Sequence, residues 1–280
     1  LINVGESVSR GFETAVSVTP VDVKNFRWDV NANISYNTSE VLKLGLSDAD
    51  TMITVGSVRE IVGQKLNQIF VWEQRKDANG NKVFDKASGY PLRASQMVSA
   101  GTNQPTWFGG FTNTINYRGI IVSALIDFKL GKDYVMLGGA NRHYWRHGLH
   151  KGTLPGREEN VVVGEGVNPD GSVNTTAAPL QPYYEQFHSL GIMDYWKANA
   201  GFWKLRQVSL SYDFEKFLPR IQFIKGLRVS VVSNNVAILK KWVQNMDPEN
   251  LYDFSDNGDG SGWSALPPTR SLGFNLNVKF

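Results

Sequence analysis

The residues in this sequence best equipped for chemistry are a run of histidines, a run of oxygen-bearing side chains and a scatter of large aromatic rings. His143-Tyr144-Trp145-Arg146-His147-Gly148-Leu149-His150 places two histidines four apart, a spacing that would put them on one helix face and could serve zinc. No Glu stands between His143 and His147, and no carboxylate follows within the motif, so the run reads as a polar, aromatic loop and not as a metal centre. Asp77-Ala78-Asn79-Gly80-Asn81-Lys82-Val83-Phe84-Asp85 carries oxygen ligands at alternate positions, as a calcium loop does. Lys82 stands at the sixth position, where such a loop needs Gly, and Ser88 at the twelfth, where it needs Glu. Asn79-Gly80 suits a type I′ hairpin turn instead. Asp253 to Gly262, with Asp256, Asn257 and Asp259, offers similar oxygens in no ordered spacing and reads as a loop tip.

Catalytic arrangements are thin. Gly-x-Ser-x-Gly and the phosphate-cradling Gly-x-x-x-x-Gly-Lys are absent, and Glu158-Glu159 reads as a solvated pair in a polar loop. With no cysteine there are no disulfides, thiolate metal sites or cysteine nucleophiles. The expectation is therefore a protein that is not an enzyme and that needs no cofactor or metal. The 29 basic and 26 acidic residues nearly balance, which gives no electrostatic case for nucleic acid. What remains is aromatic: Tyr144 and Trp145 could stack on the apolar face of a sugar ring, and Tyr134, Tyr183, Tyr184 and Trp196 lie in the same long stretch. These six are the candidate substrate-contacting residues.

The elements that must position them are strands. Alternation dominates and helical periodicity is nearly absent. Leu272, Phe274, Leu276, Val278 and Phe280 point one way, and Ser271, Gly273, Asn275, Asn277 and Lys279 the other. Trp28, Val30, Ala32, Ile34 and Tyr36 alternate with Asp29, Asn31, Asn33, Ser35 and Asn37. Ile120, Val122, Ala124, Ile126, Phe128 and Leu130 share a face opposite Ser123 and Asp127, with Ile121 and Leu125 as exceptions. Weaker alternation marks strands around Phe12–Val18, Trp107–Tyr117, Val208–Phe214 and Leu227–Val231, for seven in all. Three connections are short: Pro20 to Asn25, Arg118-Gly119, and Glu215 to Gly226. Three are long: Gly45 to Pro105, Gly131 to Phe202, and Lys240 to Pro268. The two kinds alternate strictly, which puts every long loop at one end. No run of 18 apolar residues exists to form a spanning helix. A barrel strand, however, crosses a bilayer with only every second residue apolar. The reading is all-β: an antiparallel transmembrane β-barrel sector, about seven strands of a larger barrel, with long extracellular loops. A soluble β-sandwich that binds carbohydrate would share the alternation but has no reason to place its long loops at one end.

Several motifs then appear in order. Gly11-Phe12-Glu13, Thr19-Pro20 and Trp28-Asp29-Val30-Asn31-Ala32-Asn33 are followed by Pro105-Thr106-Trp107-Phe108-Gly109-Gly110-Phe111. Next come Phe202-Trp203-Lys204-Leu205-Arg206-Gln207-Val208-Ser209-Leu210-Ser211-Tyr212, Gly226-Leu227-Arg228-Val229, Asn234-Asn235 and Asp247-Pro248-Glu249. Pro268-Thr269-Arg270 and Gly273 to Phe280 complete the set. Together these resemble the C-terminal barrel of SusC/RagA-type TonB-dependent receptors over nearly the whole chain. Asn234-Asn235-Val236, where the family usually has Asn-Leu, is the one departure and leaves the end of that strand open. The resemblance implies an outer-membrane location and a 22-stranded barrel occluded by an N-terminal plug. It also implies a SusD-like surface lipoprotein as partner and import of oligosaccharides or peptides with energy delivered by the TonB complex. On this reading residues 1–280 are the C-terminal part of such a barrel, without the plug domain and the N-terminal strands, and the chain opens at Leu1 within ordered sequence. Outer-membrane lipid covers the wall, glycan or peptide substrate meets the loops, and Phe274, Leu276, Val278 and Phe280 form the signal read by barrel-assembly machinery.

Overall fold

A computed structural model describes residues 5–45, 51–55, 58–214, 223–250 and 268–280. In chain order its elements begin with β1 (Glu6–Val23) and β2 (Phe26–Lys43), then β3 (Met52–Val55), β4 (Val58–Ile61), β5 (Gln68–Val71) and β6 (Val98–Thr102). There follow β7 (Trp107–Tyr117), β8 (Ile120–Leu130), β9 (Val135–Leu137), α1 (Gly139–Arg146), β10 (Val161–Val163), β11 (Ala177–Pro179), α2 (Leu180–Ser189) and β12 (Lys197–Asn199). The last are β13 (Phe202–Asp213), β14 (Gly226–Lys241) and β15 (Ser271–Lys279). One seven-stranded antiparallel sheet runs β1-β2-β7-β8-β13-β14-β15, so each long strand pairs with the next long strand along the chain. A sheet wound in this order is the wall of an up-and-down barrel.

The pleat explains the alternation. Directly opposed residues share a face, and one row can be followed across all seven strands: Val21, Trp28, Ile115, Val122, Leu210, Val231 and Phe274. Every member is apolar. The neighbouring row toward the short turns is Val23, Phe26, Tyr117, Ile120, Tyr212, Val229 and Leu276. On the opposite face, Asp22, Arg27, Asn116, Ile121, Ser211, Ser230 and Asn275 form a row broken only by Ile121. Ile121 and Leu125 thus lie on the polar face, as their sequence positions require.

Nothing among the described residues covers the apolar rows. Phe274, Leu272 and Leu276 are 80%, 68% and 64% exposed, and Leu210, Phe12 and Val122 on other strands are also exposed. A sandwich would press this face against a second sheet; the sandwich reading is corrected on that ground. Aromatics border the band at both ends. Phe12, Tyr36 and Trp107 cluster at 4.7–5.7 Å beside the long loops. Phe26, Tyr117 and Tyr212 lie beside the short turns. From Trp107 to Tyr117 the strand runs about 33 Å, or about 25 Å along the membrane normal at a tilt near 40°, the height of a barrel's lipid-facing belt.

Turns and bulges refine the boundaries. Arg118 and Gly119 both have positive φ (52° and 92°), as a two-residue I′ turn demands. The first short connection is tighter than Pro20 to Asn25, because β1 runs on to Val23 and the turn is Lys24-Asn25. Pro20 falls where the β1–β2 register shifts, between Val18 and Val21, and the missing N–H costs no ladder bond there. Another bulge lies at Arg206: Leu205 pairs with Ile126 and Gln207 with Leu125, so Arg206 and Gln207 both turn to the polar face and the phase resets. β14 accommodates the same shift with Asn235 at φ 51°, so the Asn-Asn departure marks an irregularity within a strand that continues to Lys241. β13 ends at Asp213, one residue before Phe214. The turn centred on Pro219 and the tip from Asp253 to Gly262 lie outside the described residues.

Helical structure is the main surprise. The second long loop holds α1 and α2 together with the β10–β11 and β9–β12 pairs, and the first holds the four-stranded sheet β3–β6. Their packed cores, and not a period read along the chain, decide these short elements.

Candidate functional site

The three long loops leave the same end of the sheet and knit into one body. The largest core brings Trp145, Tyr183, Tyr184, Phe187, Ile192 and Trp196 of the second loop onto Phe84 of the first. Ile69 and Val71 of the first loop pack with Leu137 of the second. Tyr134, Met136 and Ala200 of the second pack with Val243 and Met246 of the third. Cross-loop hydrogen bonds follow the same seams: Met193 N to Trp72 O at 2.8 Å, Gln74 N to Asp194 Oδ2 at 2.7 Å and Asn141 Nδ2 to Gln244 O at 2.9 Å.

Within this body the chemistry-bearing residues take definite places. Tyr134, Trp145, Tyr183, Tyr184 and Trp196 are each no more than 6% exposed, and Tyr144 is half-buried. Trp145 stacks on Tyr195 at 4.3 Å and meets Tyr184 and Phe187 edge-on at 5.3 and 5.7 Å. These faces are turned to one another: of the rings expected to line a substrate surface, all but Tyr144 lie in the loops' own cores. Burial pushes the Tyr183 and Tyr184 hydroxyls up. His143 sits on α1 with its ring 6.1 Å from that of His188 on α2, while His150 is buried and its Nδ1 accepts from Gly152 N at 3.0 Å. The two histidines spaced by four are thus on and just beyond a helix, but the third serves the fold. Asp77 accepts from Asn79 N, Asn81 N and Asn81 Nδ2 at 2.8–3.0 Å, and Gly80 alone in the turn has positive φ. The turn reading holds, in a longer form than I′, because Asn79 does not share the left-handed conformation that I′ requires.

An ion cluster seats the loops on the wall. Lys204 Nζ lies 2.6 Å from both Asp247 Oδ1 and Glu249 Oε2, with its side chain 5% exposed. Arg206 grips Glu249 with two bonds of 2.8 and 2.9 Å, reaches Asp127 on β8, and donates to Asn235 Oδ1 at 3.2 Å. Burial would push the Glu249 carboxyl up, but the bonds from Arg206 and Lys204 outweigh it and hold the group at about 2. The bulge makes the grip possible by turning Arg206 to the side where Lys204 already points. Two separate motifs, Lys204-Leu205-Arg206 and Asp247-Pro248-Glu249, are the two halves of one clamp. Their opposite charges were a visible signal, yet their distance along the chain hid the pairing. The strand-start glycines have a similar local reason: a Cβ at Gly109 would collide with the Asn33 carbonyl, and Gly110 N donates to Asn33 Oδ1 at 2.7 Å.

No family model matches the chain. It is similar to the TonB-dependent receptor P39 of Formosa agariphila, 23% identical over 332 residues that cover 99% of this chain and 31% of that protein. It is likewise similar to the TonB-dependent receptor SusC of Bacteroides thetaiotaomicron, 23% identical over 293 residues covering 99% and 26%. Among solved structures, the RagAB peptide transporter matches with a TM-score of 0.66 at 19% identity, over 99% of this chain and 29% of that one. The chain is similar to SusC/RagA-type TonB-dependent receptors in sequence and in fold. It spans only a quarter to a third of the length of these relatives. The RagAB peptide importer in its open-open state, at a TM-score of 0.68 and 18% identity, shares the fold. SusC/RagA-type receptors are outer-membrane proteins.

Proposed function

We propose that this chain is the wall-and-loop sector of an outer-membrane importer, the C-terminal part of a larger barrel whose plug and remaining strands come from sequence outside it. The observation that carries the reading is the pair of adjacent apolar rows that run across seven strands on a face left uncovered, with every long loop gathered at one end. Lipid satisfies such a face, and further strands would satisfy the edges of β1 and β15. The cargo class is an oligosaccharide or a peptide, energy comes from the TonB complex through the missing region, and a SusD-like surface lipoprotein sits over the loops. The aromatic set named from the sequence acts within this scheme by holding the loops in shape, and the loops' exposed rim makes the contacts. Phe274, Leu276, Val278 and Phe280, on and just beyond β15, serve as the assembly signal. No catalytic step is assigned.

The test uses the intact receptor in its own outer membrane. Residues 139–189 are replaced by a short Gly-Ser linker, and uptake of oligosaccharides and of peptides is measured beside recovery of surface lipoprotein with the receptor. Loss of uptake and of lipoprotein from a barrel that still assembles is expected. Unchanged uptake and unchanged lipoprotein recovery would sink the reading.

A further inference from the structure

On the flank of the loop body, where α1 ends and α2 begins, lies a cavity of about 320 Å³. Its lining includes Arg146, His147, Thr153, Arg157, Gln181 and Tyr184 and contains no carboxylate. Arg157 is braced by the loop: its Nε donates to Thr153 O at 3.0 Å, and its Nη2 reaches Thr153 Oγ1 at 3.1 Å and the Gly148 carbonyl. All of those partners are neutral, so the guanidinium charge is positioned but not neutralised. Arg146 meets one acid, Glu185, through a single oxygen at 3.1 Å. Glu158 and Glu159 follow Arg157 in the chain but do not line the cavity. Earlier on α1, Arg142 adds to the positive side, and the lowered pKa of His188 reflects burial first and then this field. Two guanidinium groups against one partly engaged carboxylate make a site for an anion. Thr153 is buried and its hydroxyl is spent on His150 O and Arg157, so the exposed Gln181 amide is the polar lining left to meet a ring bearing hydroxyl groups, and the volume suits one such ring.

We propose that this cavity is a subsite for a carboxylate-bearing sugar residue, so that the substrate class includes acidic, uronate-type oligosaccharides. The proposal rests on the import reading above, in which these loops face the substrate. One carboxylate oxygen would take Arg157 and the other Arg146, while a sugar hydroxyl meets Gln181. An anionic headgroup of lipopolysaccharide could offer similar chemistry, so it forms a separate arm of the test.

The experiment is titration calorimetry on the intact receptor in detergent micelles, with trigalacturonate, its methyl ester, triglutamate and purified lipopolysaccharide as probes. Expected are binding of trigalacturonate that weakens with salt, and much weaker binding of the ester and of triglutamate. Gln181→Glu, at an exposed position, should weaken trigalacturonate by roughly tenfold and leave the ester unchanged, and Arg157→Gln should do the same. Equal binding of acid and ester, preference for triglutamate, binding of lipopolysaccharide alone, or indifference to Gln181→Glu would each overturn the subsite. Cellular uptake is read separately. A receptor that binds trigalacturonate through Arg157 but imports nothing defeats the import reading and leaves the subsite standing. Import that ignores both substitutions does the reverse.

Discussion

The wall and the loop body solve the same problem in opposite ways. On the wall, apolar side chains such as Leu210, Val231 and Phe274 are left uncovered by protein, and the polar face holds the serines and asparagines. In the loop body Trp145, Phe187 and Trp196 are buried, and charged groups such as Arg157, Glu158 and Lys151 face outward. One region carries its apolar side chains outward and the other buries them away from solvent, and the Lys204–Arg206–Glu249 cluster lies at the junction. Substitutions that damage one region and spare the other therefore separate the two arrangements.

The largest effects are expected in the loop body and its seat. Trp145→Ala removes the ring at the centre of the aromatic core and should cost about 3–5 kcal/mol of local stability. The outcome to look for is rapid hydrogen exchange and proteolysis across residues 139–200, while the barrel keeps its heat-modifiable migration on gels. Trp145→Phe should cost much less, because the indole N–H has no hydrogen-bond partner among the described residues. A barrel that collapses with the loops would break the comparison. Removing both carboxylates of the clamp, Asp247→Ala with Glu249→Ala, leaves Lys204 buried without its partners and should cost a comparable 3–5 kcal/mol. Its signature differs: exchange should rise at the loop end of β13 and stay low in the aromatic core.

On the wall the effects depend on face. Ile126→Arg, in the middle of β8 on the apolar side, should destabilise the intact barrel by about 2–4 kcal/mol. Thr112→Arg, which is opposite Leu125 on the polar side, should change stability by less than about 1 kcal/mol. Reversible unfolding in detergent or lipid measures both. Similar costs at the two positions would reverse the assignment of faces and, with it, the medium on each side.

The same contrast explains what could be read in advance. The identity and facing of the long strands followed from period two, because a residue's face in a pleated strand depends only on its parity, and their order followed from the alternation of short and long connections. Ile121 and Leu125 were exceptions in the alternation and still kept the parity of the polar face. The failures lie where parity resets or where distant segments meet. The bulge at Arg206 is announced only by two adjacent polar residues, Arg206 and Gln207. α1 and α2 hold eight and ten residues and are stable through packing against segments far along the chain, so their own periodicity is weak evidence. For the same reason Trp145 and Tyr184 looked like a ligand surface: an aromatic in a polar loop carries no local mark of what will cover it. The clamp was half legible, since Lys204-x-Arg206 and Asp247-x-Glu249 are conspicuous in type but separated by forty residues of intervening chain.

The smallest expected effect is a pH dependence confined to the loop body. His188 on α2 is held neutral, with its pKa lowered to about 4 from the usual 6.5. Burial is the chief cause, followed by Arg142, Arg146 and His143 across the α1–α2 contact, and Glu185 pulls the other way. In an unfolded loop His188 takes a proton as pH falls below about 6.5; in the folded loop it does not until about 4. The unfolded state therefore binds more protons in that window, so the stability contributed by this group is present above pH 6.5 and drains away between 6.5 and 4. Glu249 adds slope only at the acid end of that window, because its own loss sets in as pH falls through the ordinary carboxylate value of 4.5 toward about 2. Hydrogen exchange at α2 compared between pH 7 and pH 4.5, after correction for the intrinsic rate, should show the loss in the native receptor and a flatter profile in His188→Gln. The wall, whose described strands β7, β8 and β13 contain no histidine, should show no such slope over the same range. An equal slope in wall and loops would mean that the two regions open together, and the clamp would then be a rigid joint between them and not a boundary.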